Sequence, residues 1–294
     1  MMITTSDGIR LEARSFGKGS HLVFVHELSG DARSWDQQVS FFSRYYRCTV
    51  YNARGYPPSD VPAGVERYDQ LRAAEDLADV LRAVAGRPAH IVGLSMGGFA
   101  ALHLALRQPR LARSLVIAGV GYGAKPEQQP EYGISMRAEA DRAEAIGMAA
   151  YARELAHSGY AQCLRGKDTA GWRRFAEQLG EHSAAGMAMT LRGVLAARPS
   201  LWHLADGLRG LEVPTLLLTG DEDAPCLEPS LFLKATLPDA ALCVMPRVGH
   251  LANLEEPELF NRIVLAFLTA VDCGRWSEWR GRAGDPAASQ GDGE

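Results

Sequence analysis

A serine lies between two glycines where the chain changes from an apolar run to a helical pattern. Gly93 and Gly97 flank Ser95, the run from His90 precedes them, and an Ala- and Leu-rich stretch follows. A tight turn between strand and helix lifts the serine hydroxyl above the sheet, and the glycines omit side chains that would clash with that turn. The positive N-terminal end of the helix would stabilise negative charge developing during attack by the hydroxyl. The pattern therefore predicts a nucleophilic serine.

A histidine and three carboxylates further along the chain could activate this serine. A serine is a weak nucleophile unless a base takes its proton and an acid orients the base. His250 follows the last apolar run, and the carboxylates follow the run at 214–218; they are Asp221, Glu222 and Asp223. Loops at the carboxyl ends of parallel strands meet at one edge of a sheet. The sequence thus predicts a relay in the chain order serine, acid, histidine.

The elements that must position these residues follow an alternating pattern. Continuous apolar runs typical of buried strands occupy residues 21–25, 48–51, 90–93, 114–118, 214–218 and 240–245. Between the second and third, apolar residues recur every three or four positions from Leu71 to Val84, which indicates one face of a helix. Residues 2–16, with a turn at Asp7 and Gly8, are typical of a β-hairpin. The pattern predicts an α/β fold whose mostly parallel sheet is flanked by helices on both faces.

The alternation stops between residues 121 and 205, where helical patterns follow one another. We interpret this stretch as a helical cap inserted after the sixth strand. The core is then discontinuous and consists of residues 1–120 and 206–271. Residues 272–294 form a C-terminal tail, and the part from Gly281 is expected to be disordered because it has little apolar surface to bury.

Composition excludes several classes of protein. The 294 residues are 47% hydrophobic and 22% charged, a globular balance that excludes collagen-like, coiled-coil and wholly disordered chains. With 31 Lys and Arg against 35 Asp and Glu and no basic stripe, nucleic acid is not an expected partner. We find no export signal and no apolar run near the roughly 18 residues of a membrane span. Five cysteines without a CxxC motif indicate a reducing cytoplasm.

Together these motifs resemble the α/β-hydrolase superfamily, which includes carboxylesterases, enol-lactonases and C–C bond hydrolases. The resemblance extends to about Val271. It rests on four motifs in order: Val25-His26-Glu27, Asn52-Ala53-Arg54-Gly55, the serine turn, and the paired Gly-x-x-Asp and Gly-His segments. The histidine loop at 249–257 is especially similar to that of enol-lactonases and C–C bond hydrolases. The resemblance implies the α/β-hydrolase fold.

The resemblance also implies roles for individual residues. The family's spacing of glycine plus three selects Asp223 as the acid. Two backbone N–H groups, those of Leu28 and Met96, are expected to form the oxyanion hole. The side chains expected at the substrate are Glu27, His26, Tyr122 and Trp202. No metal or organic cofactor is expected, because no histidine–carboxylate cluster or phosphate-binding motif occurs.

Two positions depart from the family pattern. Most relatives have His-Gly where this chain has His26-Glu27, which puts a carboxylate beside the expected oxyanion hole. Glu27 either restrains the nucleophile, contacts substrate, repels anionic substrates or forms a structural ion pair with Arg54. The segment Tyr56-Pro57-Pro58-Ser59 stands where relatives usually have Gly-x-Ser, so the wall of the pocket is expected to differ.

The expected activity is that of a cytoplasmic serine hydrolase acting on a small carboxylic ester or lactone through an acyl-enzyme. Epoxide hydrolases and haloalkane dehalogenases share the fold but use an aspartate at the turn, so Ser95 argues against both. Two alternatives stay open: C–C bond hydrolysis of a vinylogous diketone, and a ligand receptor built on a hydrolase scaffold.

Overall fold

Eight strands form one mostly parallel sheet in the computed structural model, which describes residues 1–278. The strands are β1 (Met2–Thr4), β2 (Arg10–Phe16), β3 (His21–Val25), β4 (Arg47–Tyr51), β5 (Ala89–Leu94), β6 (Ala112–Ala118), β7 (Thr215–Gly220) and β8 (Ala240–Met245). Their order in the sheet is β1-β2-β4-β3-β5-β6-β7-β8. β2 pairs antiparallel with β1 and β4, and the other neighbours are parallel. The predicted hairpin and parallel sheet are confirmed.

Helices connect the strands. They are α1 (Asp36–Phe42), α2 (Gln70–Val84), α3 (Met96–Arg107), α4 (Gln129–Ile146), α5 (Met148–His157), α6 (Gln162–Lys167), α7 (Thr169–Gly180), α8 (Ala184–Thr190), α9 (Ala205–Arg209), α10 (Ala224–Thr236), α11 (Ala252–Glu255), α12 (Pro257–Asp272) and α13 (Arg275–Glu278). The Asp69 side chain caps α2 by accepting the N–H of Arg72, which fixes where this predicted helix begins. No helix of the described residues has the length and apolar character to cross a membrane.

The sheet has a separate apolar core on each face. Successive side chains of a strand point to opposite faces, so β3 contributes Val23 and Val25 to one core and Leu22 and Phe24 to the other. Helices α2 and α3 cover the first face, whereas α1 and α12 cover the second. Burial on both faces explains why the strands were recognisable as continuous apolar runs.

The chain between β6 and β7 is helical, as the sequence predicted. Helices α4 to α8, which we call the cap, lie in this interval, and the structure places no strand among residues 119–214. A third apolar cluster joins cap side chains to Met96 and Leu251, which begin or precede helices at the carboxyl edge of the sheet. The cap therefore packs over the edge where the predicted catalytic residues lie.

Helical structure continues into the first residues of the predicted C-terminal tail. α12 continues to Asp272 and α13 covers Arg275–Glu278. The ring of Trp276 packs edge-on against Phe267, with ring centroids 4.6 Å apart. Residues 272–278 are thus partly helical, and the stretch from Gly281 that we expected to be disordered lies outside the described residues.

Candidate active site

Ser95 occupies a strained turn between β5 and α3. Its φ of 51° lies in the left-handed region, which a residue with a side chain rarely adopts. The backbone is tied on both sides: Ser95 N donates to Ala118 O over 2.8 Å, and Ser95 O accepts from Phe99 N over 3.0 Å. A Cβ on Gly97 would lie 2.8 Å from the carbonyl oxygen of His26. The glycine is therefore needed for α3 to approach β3 this closely.

His250 and Asp223 form a buried hydrogen-bonded pair. Nδ1 of His250 lies 2.7 Å from Oδ2 of Asp223, and the two residues are 3% and 2% exposed. Although burial alone would raise it, the pKa of Asp223 is lowered by the neighbouring His250 and by hydrogen bonds, which keeps the carboxylate ionised. An ionised acid at Nδ1 fixes the imidazole tautomer in which Nε2 can accept a proton.

The three neighbouring carboxylates differ in their surroundings. Asp221 and Glu222 are exposed, whereas Asp223 is buried. Asp221 Oδ1 accepts the backbone N–H of Val248 over 3.2 Å, a bond that stabilises the loop before His250. The structure thus brings Asp223, and neither rival among the described residues, to the imidazole.

Two tyrosines and a glycine surround the His250 ring. The rings of Tyr122 and Tyr160 each lie 4.9 Å from it, centroid to centroid. A Cβ on Gly119 would be 3.3 Å from Cε1 of His250, so this position has little room for a side chain. These contacts hold the imidazole between the sheet edge and the cap.

His250 and Ser95 line the same cavity. Within residues 1–278, Nε2 of His250 has no hydrogen-bond partner, and no hydrogen bond joins it to Ser95 Oγ. Catalytic hydrogen bonds are often long or poorly aligned without substrate and tighten when it binds. Nε2 therefore remains able to take a proton from a hydroxyl in this cavity.

A buried carboxylate clamps the backbone on both sides of His250. Oε2 of Glu255 accepts the N–H of Gly249 over 2.6 Å, and Oε1 accepts the N–H of Leu251 over 3.0 Å. Glu255 is 5% exposed. Since two bonds to residues adjacent to the histidine fix the path of its backbone, Glu255 is a positioning residue for His250.

Replacing Glu255 with glutamine should lower kcat about 10- to 100-fold and change KM little, because the amide NH₂ would face a backbone N–H and shift the loop. Steady-state kinetics on a chromogenic ester would measure the change. Glu256→Gln is the matched control, since Glu256 pairs with Lys167 at the surface. A fall in activity as large in the control as in Glu255→Gln would contradict the clamp.

The peptide unit before Leu28 is held in one orientation by His26. Nδ1 of His26 lies 2.7 Å from the carbonyl oxygen of Glu27, and Nε2 lies 3.0 Å from the N–H of Ala53. Burial lowers the pKa of His26 to about 4, so the ring is neutral, with Nδ1 donating and Nε2 accepting. Because the carbonyl of a planar trans peptide points opposite to the next N–H, this bond sets the direction of the Leu28 N–H.

The two expected oxyanion donors are unengaged. No hydrogen bond from the N–H of Leu28 or Met96 is formed within the described chain. Met96 is the first residue of α3, where N–H groups have no partner in their own helix. The Tyr56 hydroxyl donates to the carbonyl oxygen of Leu28 over 2.7 Å. The segment at 56–59, which differs from the family pattern, therefore helps to fix the loop that contains Leu28.

The cavity holding Ser95 and His250 has a volume of about 490 Å³. Leu28, from the loop after β3, and Tyr122, from the segment after β6, line it beside the two candidate catalytic residues. The rest of the wall comes from the cap and the segment after it, and consists of Tyr132, Ser135, Met136, Glu139, Tyr151, Glu154, Leu155, Ser158, Gly159, Tyr160, Leu191, Leu195 and Arg198. Of the four side chains expected at the substrate, the structure brings Tyr122 to this cavity.

The structure places Trp202 and His26 elsewhere, so the expectation that they contact substrate is corrected. Trp202 stacks on Phe232 with ring centroids 4.2 Å apart and packs against the core on one face of the sheet. Both nitrogens of His26 are used by backbone groups, and its ring packs edge-on against Tyr56. Neither lies in the described lining of the cavity.

Glu27 is fully buried and also lies off the cavity. Its side chain is directed toward Gly30, and Oε2 accepts a long bond of 3.4 Å from Ser34 Oγ. Arg54 is not its partner, since that guanidinium pairs with Asp7 and Asp76. The expectations that Glu27 contacts substrate and that it forms an ion pair with Arg54 are therefore both corrected, because its side chain lies beside Gly30 and Ser34. Burial raises the pKa of Glu27 to about 7.

Glu27 should make stability depend on pH. Its pKa rises from an ordinary 4.5 to about 7 on folding, so the folded state binds the extra proton and loses stability as pH rises from 4.5 to 7. Glu27→Gln should therefore unfold like wild type at pH 4.5 and be about 3 kcal/mol more stable above pH 7. Urea denaturation at several pH values measures this difference, with exposed Glu177→Gln as control. A difference independent of pH would contradict the shift.

One set of described residues has the geometry of a metal site, and it overlaps the histidine–acid pair. Potential ligand atoms of Asp223, Cys226 and His250 all lie within 4.8 Å of one another. However, Nδ1 of His250 is already bonded to Asp223, and burial raises the pKa of the Cys226 thiol well above its ordinary value. A neutral thiol is a poor metal ligand, so the arrangement suits proton transfer better.

Sequence reasoning missed three groups at the site. Tyr160 contacts the His250 ring, Glu255 clamps the histidine loop, and Arg198 lines the cavity. The carboxylate of Glu255 lies within the quoted loop at 249–257, so its position after the histidine was a usable signal. Tyr160 and Arg198 come from the cap and the segment after it, where spacing does not indicate which side chains face the sheet.

Known proteins resemble this chain over most of its length. The model of the "Alpha/beta hydrolase family" matches residues 22–263. The chain is 27% identical over 274 residues to 3-oxoadipate enol-lactonase 1 of Acinetobacter baylyi, covering 92% of this chain and 97% of that one. It is 26% identical over 274 residues to 2-hydroxy-6-oxo-6-phenylhexa-2,4-dienoate hydrolase of Burkholderia cepacia, covering 88% and 91%.

A solved structure is similar in fold over nearly the same length. The malate-bound thermophilic esterase of Thermogutta terrifontis superposes with a TM-score of 0.82 at 26% identity, and the match covers 92% of this chain and 98% of the esterase. The family model spans most of the chain, including the serine turn and the histidine loop. The chain therefore belongs to the α/β-hydrolase family.

Proposed function

We propose that this protein is a cytoplasmic serine hydrolase that cleaves a small carboxylic ester or lactone through an acyl-enzyme. The observation that carries the proposal is the buried 2.7 Å bond between His250 and Asp223 beside a cavity that Ser95 also lines. The imidazole nitrogen opposite that bond has no partner among the described groups. A base with one nitrogen held by an acid and the other unengaged is what a serine nucleophile requires.

In the proposed reaction, His250 Nε2 takes the proton of Ser95 as Oγ attacks the substrate carbonyl. Asp223 stabilises the imidazolium that forms. The tetrahedral intermediate expels the alcohol, which receives the proton from His250. Water then attacks the acyl carbonyl and loses a proton to the same imidazole. The bond between the acyl carbon and Oγ breaks, the acid leaves, and His250 returns the proton to Ser95.

The oxyanion of the intermediate would bind to the N–H groups of Leu28 and Met96. Both are unengaged within the described residues, and the bond from His26 fixes the direction of the first. The second begins α3, whose positive end favours the negative oxygen. Donors held in place before the reaction cost no reorganisation during it, and this makes such groups effective.

The cavity supports a small substrate. A volume of about 490 Å³, lined mostly by apolar and aromatic side chains, suits a compact ester or lactone. The relative from Acinetobacter baylyi is named an enol-lactonase and the similar structure is an esterase, which supports the same class of reaction.

C–C bond hydrolysis of a vinylogous diketone is the second candidate. It is favoured by the similarity to the Burkholderia cepacia hydrolase, at 26% identity over 88% of the chain. Such a reaction would use the same serine, base and oxyanion donors, so the geometry of those groups supports both candidates.

A substrate panel on the purified wild-type protein separates the candidates. We expect multiple turnovers of short-chain aryl esters or simple lactones, no turnover of a vinylogous diketone, and labelling of the Ser95 peptide by a fluorophosphonate in mass spectrometry. Turnover of the diketone alone would favour C–C hydrolysis. A single slow acylation without turnover would favour the receptor alternative.

A further inference from the structure

Arg198 is a buried cation without an acidic partner. It is 5% exposed and lines the cavity that contains Ser95 and His250. Its Nη1 donates to the carbonyl oxygen of Tyr122 over 2.8 Å, whereas Nε and Nη2, both inaccessible to solvent in this conformation, have no hydrogen-bond partner within residues 1–278. Buried charges in proteins are normally paired, because an unpaired one loses its hydration without compensation. Two unsatisfied donors on a buried guanidinium therefore need an explanation.

The comparison with Arg54 shows how this fold pairs a buried arginine. The side chain of Arg54 is 4% exposed, and it has two carboxylate partners, Asp7 and Asp76, at 2.9 and 2.8 Å. Arg198 is equally buried, yet among the described residues no ion pair includes it. Of the two buried arginines among the described residues, the one without an ion pair is the one at the cavity.

The surroundings of Arg198 confirm that its charge is not neutralised locally. Its guanidinium carbon lies 3.7 Å from the ring centroid of Phe99, a cation–π contact that attracts the charge but supplies no anionic partner and no acceptor for the free N–H groups. Burial lowers the pKa of Arg198 below its ordinary value. Burial and the charge of Arg198 together lower the pKa of nearby His103 to about 4, so the His103 ring is neutral while Arg198 is charged.

Arg198 is close to the candidate catalytic residues through shared neighbours. Tyr122, whose carbonyl accepts from Arg198, has its ring against the His250 imidazole. Phe99, beneath the guanidinium, donates its N–H to the carbonyl of Ser95. One residue therefore separates Arg198 from each of the two, and all three line one cavity.

The carboxylates of the cavity lie in a different part of the wall. Glu139 and Glu154 come from α4 and α5 of the cap, and Glu154 is exposed and paired with Arg142. Glu139 is half-buried, whereas Arg198 is buried and forms no ion pair with either acid within the described chain.

We propose that Arg198 binds a carboxylate of the substrate, so that the natural ester or lactone carries an anionic group besides the carbonyl under attack. The inference rests on the proposed function and narrows its substrate class. A guanidinium with two donors unengaged matches the two oxygens of a carboxylate. A neutral acceptor would satisfy the N–H groups but leave the charge unbalanced.

Matched substrates test the proposal by turnover. One pair carries the charge on the acyl part: 4-nitrophenyl hydrogen adipate and neutral 4-nitrophenyl 6-methylheptanoate. The other carries it on the leaving group: 3-(butanoyloxy)benzoate and neutral 3-isopropylphenyl butanoate. We expect Arg198→Met to lower kcat/KM about 100-fold for at least one anionic member and less than threefold for the neutral members. Arg198→Lys should lose part of this preference, and exposed Arg137→Met should lose none. Equal losses within both pairs would overturn the proposal.

Equilibrium binding tests it without turnover. Isothermal titration of the wild-type protein with adipate and with adipamide, its neutral diamide, should show at least tenfold tighter binding of adipate. Equal affinity would overturn the role of Arg198 even if esters are hydrolysed. If the wild type hydrolyses none of the four esters but binds adipate selectively, the proposed function fails and the carboxylate site stands.

Discussion

Replacing Ser95 with alanine should lower kcat for ester hydrolysis by about 10⁴- to 10⁶-fold and abolish labelling by a fluorophosphonate. The expected loss is large because the proposed acyl-enzyme cannot form without the hydroxyl. Oxyanion donors and substrate binding would still accelerate attack by water, which sets the residual rate. Stopped assays at high enzyme concentration, with mass spectrometry of the labelled protein, would measure both effects.

The matched control is Ser135→Ala, since Ser135 lines the same cavity from the cap. It should keep kcat within about threefold, because a surface substitution away from the reacting atoms has little effect. Strain at Ser95 gives a second readout, since its φ of 51° disfavours any side chain. Ser95→Gly should be as inactive as Ser95→Ala and unfold at higher temperature. Persistent labelling of Ser95→Ala would mean that another residue is the nucleophile.

Asp223→Asn should lower kcat about 10⁴-fold, the second-largest effect we expect. An amide can donate to Nδ1 of His250, and this would place the imidazole proton on Nε2. Nε2 of His250 would then carry a proton where it needs a lone pair to accept the proton of Ser95. Because both partners of the 2.7 Å bond are buried, the amide would stay beside Nδ1 and keep favouring this tautomer.

Asp221→Asn provides the control for this substitution. Asp221 is exposed, and it accepts one backbone N–H through Oδ1, which an asparagine oxygen can replace. Its kcat should stay within about threefold of wild type. The pH profile adds a test, since Asp223→Asn should regain activity at high pH if hydroxide replaces the lost base. A larger loss in Asp221→Asn than in Asp223→Asn would reverse the assignment of the acid.

The strands and the histidine–acid pair could be predicted because short stretches of sequence indicate the strands, and a parallel sheet brings the loops after its strands to one edge. Apolar runs buried on both faces indicate parallel strands, and β3 begins and ends where predicted, at His21 and Val25. Once the sheet is parallel, loops after its strands share an edge. That placement brought Asp223 and His250 together although 27 residues separate them.

The substrate side was less predictable, for a geometric reason. Which way a loop side chain points depends on the backbone angles of that loop, and residue spacing does not determine them. Glu27 therefore turns toward Gly30 instead of the cavity, and Trp202 stacks on Phe232. Nothing in the sequence around Arg198 distinguishes it from an ordinary surface arginine. The carbonyl that it donates to belongs to Tyr122, 76 positions away.

The division of labour around the cavity bears on how such proteins diversify. Ser95, Asp223 and His250 come from the loops of the sheet, while most of the wall comes from the cap and the segment that follows it. Changes within the contiguous segment that forms the cap can thus alter substrate specificity while the candidate catalytic residues stay the same. Descendants of one ancestor could thus come to open lactone rings or cleave acyclic esters when only the residues of the cap change and the loops of the sheet stay the same.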